Sequence, residues 1–152
     1  MEPYRRPWWA CGRHVQTIVP AISNALISGP RIDWCRERWT TPDGDFVDID
    51  WAGDVHATRL LVLFHGLEGN RETHYARALA RHAAANRWCF AFVNFRGCSG
   101  ESNLKCRAYH AGDSEEIDWI LRRFAAEHEN VSAAGISLGG NALLKWLGEK
   151  GH

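Results

Sequence analysis

The chain has 152 residues, 45% of them hydrophobic and 24% charged, a balance that supports one globular core. Its 18 basic and 18 acidic side chains cancel, so no basic face is implied and nucleic acid is not an expected partner. No apolar run reaches the ~18 residues that suggest a membrane-spanning helix.

Residues 1–30 read as an irregular arm. It carries a Trp8-Trp9 pair and a short helical segment after Pro20 that ends at Gly29-Pro30. His14 is expected to be hydrogen-bonded structure. Residues 31–152 read as the main domain. Residues 31–39 form an extended strand, and Thr41-Pro42-Asp43-Gly44 is a turn signal. Phe46, Val47, Ile49 and Trp51 alternate along a return strand, which makes an antiparallel hairpin. Asp48 and Asp50, set between them, are expected on a solvated face.

Leu60 to Phe64 is a continuous apolar run, as expected of a strand covered on both faces in a parallel sheet. It leads into His65-Gly66-Leu67-Glu68-Gly69-Asn70, a glycine-bearing loop with no phosphate-loop G-K-[ST]. The helix behind it is expected to bury Tyr75, Ala78, Leu79, His82 and Ala83. Trp88 to Phe95 is the next strand, followed by the loop Arg96 to Glu101 and an irregular stretch containing Tyr109-His110-Ala111-Gly112. A helix opens at Ser114, with acids in its first turn and a stripe of Ile117, Ile120, Leu121 and Phe124.

The last segment is Val131 to Leu147. A short apolar strand turns at Gly135-Ile136-Ser137-Leu138-Gly139 and becomes a helix with Leu138, Leu143, Leu144 and Leu147 at helical spacing. In that context G-x-S-x-G forms a nucleophile elbow. Gly135 and Gly139 leave room beside the strained turn, Ser137 stands at its apex, and the Leu138 N–H at the helix start faces the same space. The pattern after the hairpin is β-α-β-α-β-α. Right-handed crossovers then place helices on both faces of a mostly parallel sheet, an α/β fold.

The five cysteines, at 11, 35, 89, 98 and 106, are odd in number and irregular in spacing. Reduced thiols in a cytoplasmic protein are the simplest reading. Cys98, Cys106 and His110 include no C-x-x-C pair and suggest no fourth ligand, so no metal is expected there.

Taken in order, HGLEGN at 65–70, RGCSGESN at 96–103, YHAGD at 109–113 and GISLGGN at 135–141 resemble the α/β-hydrolase superfamily, in particular its YheT-like branch of predicted esterases. GRHVQTIVP and PDGDFVDIDW match that branch too. The resemblance implies Ser137 as catalytic nucleophile, Leu67 and Leu138 as oxyanion-hole donors, and His65, Gly66, Gly135 and Gly139 as structural support. It implies ester hydrolysis through an acyl-enzyme, a small-molecule ester or lipid-like acyl substrate, and no cofactor.

The family places its triad Asp and His after the serine, whereas only 15 residues follow Ser137 here and none is Asp. The expectation is therefore a partial α/β-hydrolase fold, an amino-terminal fragment lacking later strands, with weak or no activity. The alternative is a non-catalytic remnant that binds or self-associates through an exposed sheet edge.

Overall fold

The computed structural model describes residues 5–10, 12, 14–16, 18, 19, 22 and 29–151. They fall into two compact units, residues 1–31 and 32–152. In the first, the Ile18 N–H donates to the His14 carbonyl at 2.9 Å, one helical turn. The helix expected after Pro20 lies outside the described residues apart from Ile22.

The second unit is a five-stranded mixed sheet with three helices. In chain order these are β1 (Cys35–Thr40), β2 (Phe46–Gly53), β3 (Arg59–Phe64), α1 (His74–Ala85), β4 (Cys89–Asn94), α2 (Ser114–Glu127), β5 (Asn130–Gly135) and α3 (Leu138–Lys150). The sheet order is β1-β2-β4-β3-β5. β4, β3 and β5 run parallel, and the hairpin β1–β2 joins antiparallel through β2 and β4.

Alternation along the central strands builds two cores. Leu60, Val62 and Phe64 face one side with Val93, and Leu61 and Leu63 face the other with Phe90 and Phe92. The first side is covered by α2 through Ile117, Ile120, Leu121 and Phe124, the stripe expected from its 3.6-residue period. The second is covered by α1. Its buried residues are Ala76, Ala80 and Ala83, with Tyr75 and Leu79 partly buried beside them. Ala78 and His82 are exposed, so the helix is rotated from the expected stripe. Three alanines on the contact line let α1 sit close on Phe90 and Phe92, and larger side chains straddle that line.

The hairpin corrects a second expectation. Asp48 and Asp50 are not solvated: they are 1% and 0% exposed. Each stands directly across from an arginine of β1, Arg38 opposite Asp48 and Arg36 opposite Asp50. Both pairs are two-pronged, with N–O distances of 2.8–2.9 Å. Arg71 and the Asn94 amide add bonds to Asp50 at 2.9 and 2.8 Å. Burial raises the pKa of both carboxyls, but the hydrogen bonds outweigh it and hold them below the usual aspartate range.

At the hairpin turn, Arg96 bonds to Asp43, Asp45 and Glu116, which ties the turn and the end of β4 to α2. The acids of this segment thus anchor the loops at the carboxyl ends of the parallel strands.

β5 lies at the opposite edge of the sheet. Ser132 and Ala133 are exposed. An open apolar groove runs beside it, lined by Leu121, Val131, Leu143 and Leu147. On α3 only Gly139 and Ala142 are buried; Leu144 and Leu147 are 69% and 49% exposed. The expected leucine stripe is therefore only partly covered.

Candidate active site

The site is built where β3 and β5 end side by side. Phe64 pairs with Gly135 in the parallel register, so the loop after β3 and the turn after β5 leave the sheet together. Their backbones are stitched: Ile136 N–H donates to the Phe64 carbonyl at 3.0 Å and Gly139 N–H to the His65 carbonyl at 3.1 Å.

Close approach explains the glycines. A Cβ on Gly139 would lie 2.5 Å from the His65 oxygen and 2.6 Å from the Phe64 carbonyl carbon. One on Gly135 would lie 2.6 Å from the Gly140 Cα. These contacts are with backbone, which cannot yield as a flexible side chain does.

Ser137 occupies the apex between β5 and α3 with φ 50° and ψ −111°. It is one of three non-glycine residues with positive φ among the described residues. Such a conformation is sterically costly and persists only where the surroundings impose it. Its side chain is exposed and makes no cap bond to the helix it precedes. The Leu138 N–H, in the first helical position, has no intrahelical acceptor. Gly66 of the other loop lies against Ser137: a Cβ there would lie 3.3 Å from the Ser137 Cβ.

His65 sits under that loop, 0% exposed. Its Nδ1 is 2.5 Å from the Gly66 carbonyl, and its Nε2 accepts from the Phe95 N–H at 3.2 Å. Together these bonds require the neutral ring with the proton on Nδ1. Burial lowers its pKa, against the opposing effect of the Gly66 carbonyl. The ring stacks on Phe92 at 5.3 Å. With both nitrogens engaged, His65 has none free to take a proton from Ser137.

Leu67 stands on the same loop with its side chain 72% exposed. The structure thus brings His65, Gly66, Ser137, Leu138 and Gly139 into one neighbourhood, with Leu67 next in the chain.

The other polar residues near the chain's loops have local tasks. Asp113 caps α2 by accepting from the Glu116 N–H and pairs with Arg107. Asp118 binds Arg122 and the Trp146 indole N–H. His110 accepts from the Gly112 N–H. His152 lies outside the described residues. Among the described residues, no group of three or more His, Cys, Asp or Glu is arranged to hold a metal ion.

Sequence reasoning left two contributors unassigned. Tyr109 donates no periodic signal, yet its hydroxyl accepts from the Glu68 N–H at 2.9 Å. Arg71 follows the glycine loop and ties it to Asp50. Only the YHAGD motif hinted at the first, and nothing local hinted at the second.

A family model of the alpha/beta hydrolase fold matches residues 59–151. The chain is 39% identical over 145 residues to "Putative esterase YheT" of Escherichia coli (strain K12), across 91% of this chain and 42% of that protein. It is 26% identical over 161 residues to phospholipase ABHD3 of Homo sapiens, across 99% of this chain and 38% of that one. The chain therefore spans less than half the length of either relative.

Among solved structures, the Pyrococcus furiosus esterase Pf2001 matches with a TM-score of 0.60 at 17% identity, over 79% of this chain and 48% of that chain. XC6422 of Xanthomonas campestris, described as an a/b serine hydrolase without lid, matches with a TM-score of 0.61 at 15% identity, over 80% and 58%. These two likenesses carry the fold, and the family match carries the assignment: the chain belongs to the α/β-hydrolase fold family, on its YheT-like side.

Proposed function

We propose that the chain carries the nucleophile and oxyanion-hole half of a serine carboxylester hydrolase. The observation that supports it most is Ser137, exposed at a left-handed strand-to-helix apex with the Gly66 loop against it. In this reading the Ser137 Oγ attacks the ester carbonyl carbon. The developing oxyanion is held by the N–H groups of Leu67 and Leu138, the alcohol leaves, and water releases the acyl group. A histidine paired with an aspartate would act as general base. No Asp follows Ser137 in the sequence, and His65 is already committed by both ring nitrogens.

The 152-residue chain is accordingly expected to turn over esters weakly or not at all. The substrate class is a small-molecule ester or a lipid-like acyl compound, in keeping with relatives named as an esterase and a phospholipase. The free thiols at Cys35, Cys89, Cys98 and Cys106 fit a reducing, cytoplasmic setting.

A second reading is supported by the exposed β5 edge: a non-catalytic piece that self-associates by pairing that strand.

Two measurements on the intact chain separate these readings. With imidazole supplied as an external general base, a fluorophosphonate should add one phosphonyl group to the chain and none to Ser137→Ala, read by intact mass. Absence of that Ser137-dependent adduct would sink the nucleophile reading. p-Nitrophenyl acetate hydrolysis should stay near the buffer rate. A large rate that disappears in Ser137→Ala would overturn the expectation of weak turnover.

A further inference from the structure

The residue between His65 and Gly69 that would hold the oxyanion, Leu67, is flanked by two peptide groups, and each is held by a different side chain. The peptide joining Gly66 to Leu67 is held through its carbonyl, which accepts from His65 Nδ1 and from the Gly69 N–H at 3.0 Å. Because that peptide is planar and trans, the Leu67 N–H points away from these donors. The peptide joining Leu67 to Glu68 is held through the Glu68 N–H, which donates to the Tyr109 hydroxyl at 2.9 Å. Glu68 has φ 49°, a conformation a non-glycine residue keeps only when its neighbours impose it.

Tyr109 is itself well anchored. Its ring stacks on Phe95 at 5.3 Å with 2° between planes and meets His65 edge-on. Cys98, partly buried, packs against the same core cluster. The two residues after His110 are tied to the helix that begins beside Ser137. Asn141 Nδ2 donates to the Ala111 carbonyl at 2.8 Å and Lys145 Nζ to the Gly112 carbonyl at 2.9 Å. The segment 109–112 therefore bridges the loop that bears Leu67 and the helix that bears Leu138.

We infer that Tyr109 is a positioning residue for the oxyanion hole: its hydroxyl fixes the Leu67–Glu68 peptide and registers the Leu67 N–H against the nucleophile helix. This rests on the nucleophile and oxyanion-hole reading above.

The test uses the full chain and a fluorophosphonate. With imidazole supplied as external base, the Ser137 Oγ–P bond forms, the P–F bond breaks, fluoride leaves, and the hydroxyl proton goes to imidazole. The phosphonyl oxygen then stands where a substrate oxyanion would. In the wild-type adduct the amide protons of Leu67 and Leu138 should both move downfield in the proton–nitrogen NMR spectrum.

Tyr109→Phe keeps the ring stack and removes only the hydroxyl. In its adduct the Leu138 shift should persist and the Leu67 shift should shrink. Phosphonylation should slow about tenfold, the scale of one lost hydrogen bond. Cys98→Ala leaves the Glu68–Tyr109 bond in place and should retain the Leu67 shift.

An unchanged Leu67 shift in Tyr109→Phe would overturn the inference. Shrinkage of that shift in Cys98→Ala as well would do so too, since it would mean general loosening. Failure of the wild-type chain to form any adduct is a different signal, and it removes the nucleophile reading itself.

Discussion

At the hairpin edge of the sheet, β1 presents Arg36 and Arg38 to the acids of β2, and every charge across that strand pair has a fixed partner. At the β5 edge the strand reads Asn130 to Gly135, small and neutral, with Ser132 and Ala133 exposed. Among the described residues, both outermost strands leave their outer backbone without a strand partner, but the hairpin edge carries charged side chains and the β5 edge carries none. Ion pairs at 2.8–2.9 Å are directional, so they fix register as well as burial. A small, neutral strand has neither device and takes its register from β3 alone. The loops over the candidate site hang between these two edges. Those tied to the hairpin are held by charge, and the turn at Ser137 is held by close backbone packing.

The largest expected effect is at that packing. Gly139→Ala places a methyl group against the carbonyls of Phe64 and His65, and it should cost about 3 kcal/mol or more in urea unfolding. A loss below about 1 kcal/mol would show that α3 is free to move off β3, and the turn would no longer count as rigidly held.

The hairpin edge is the next test. Asp50→Asn removes the charge shared by Arg36 and Arg71 and should cost about 2 kcal/mol at neutral pH, less than a fully buried pair because both arginines keep some solvent. The native pKa of Asp50 is lowered, so its contribution is complete above the unfolded value of about 4 and is lost as pH falls below it. Wild type should therefore lose more stability than Asp50→Asn as pH falls below about 4. Parallel acid profiles for the two proteins would mean that the pair adds nothing and that the edges differ only in appearance.

The smallest effect on stability is expected at β5. Ser132→Lys puts a charge on the open edge and should change unfolding by no more than about 0.5 kcal/mol. Sedimentation should nonetheless shift from an associated species toward monomer. A wild-type chain that already sediments as a monomer would remove the contrast from that side.

Much of this arrangement can be read from local sequence. The stripe Ile117, Ile120, Leu121, Phe124 needs only helical period, and the run Leu60 to Phe64 needs only a sheet covered on both sides. The strand-to-helix turn at Ser137 is legible because its glycines mark a steric demand within five residues. Apart from the rotated stripe of α1, what was missed is nonlocal. Asp48 and Asp50 look solvated until Arg36, Arg38 and Arg71 are brought beside them. Glu116 reads as a first-turn acid suited to a helix start, yet it is buried against Arg96 with its pKa raised by burial despite that partner. Tyr109 has no periodic neighbours at all, and its meaning lies 41 residues away at Glu68. Local pattern finds elements and the turn; it does not find what fastens the loops above them.

The strand order β1-β2-β4-β3-β5 also constrains how the chain can acquire this shape. β3 is made before β4 but ends up beyond it, so β2 and β3 never pair, and β4 must insert between them. Asp48 waits for Asn94, 46 residues later, before the hairpin has a neighbour on its inner side. During synthesis the hairpin therefore emerges with its inner edge bare. Pairings this distant in sequence form slowly, because chain entropy is lost before contacts repay it. The arrival of β4 is the step that joins hairpin and parallel strands into one sheet, and until then Asp50 lacks its bond from Asn94.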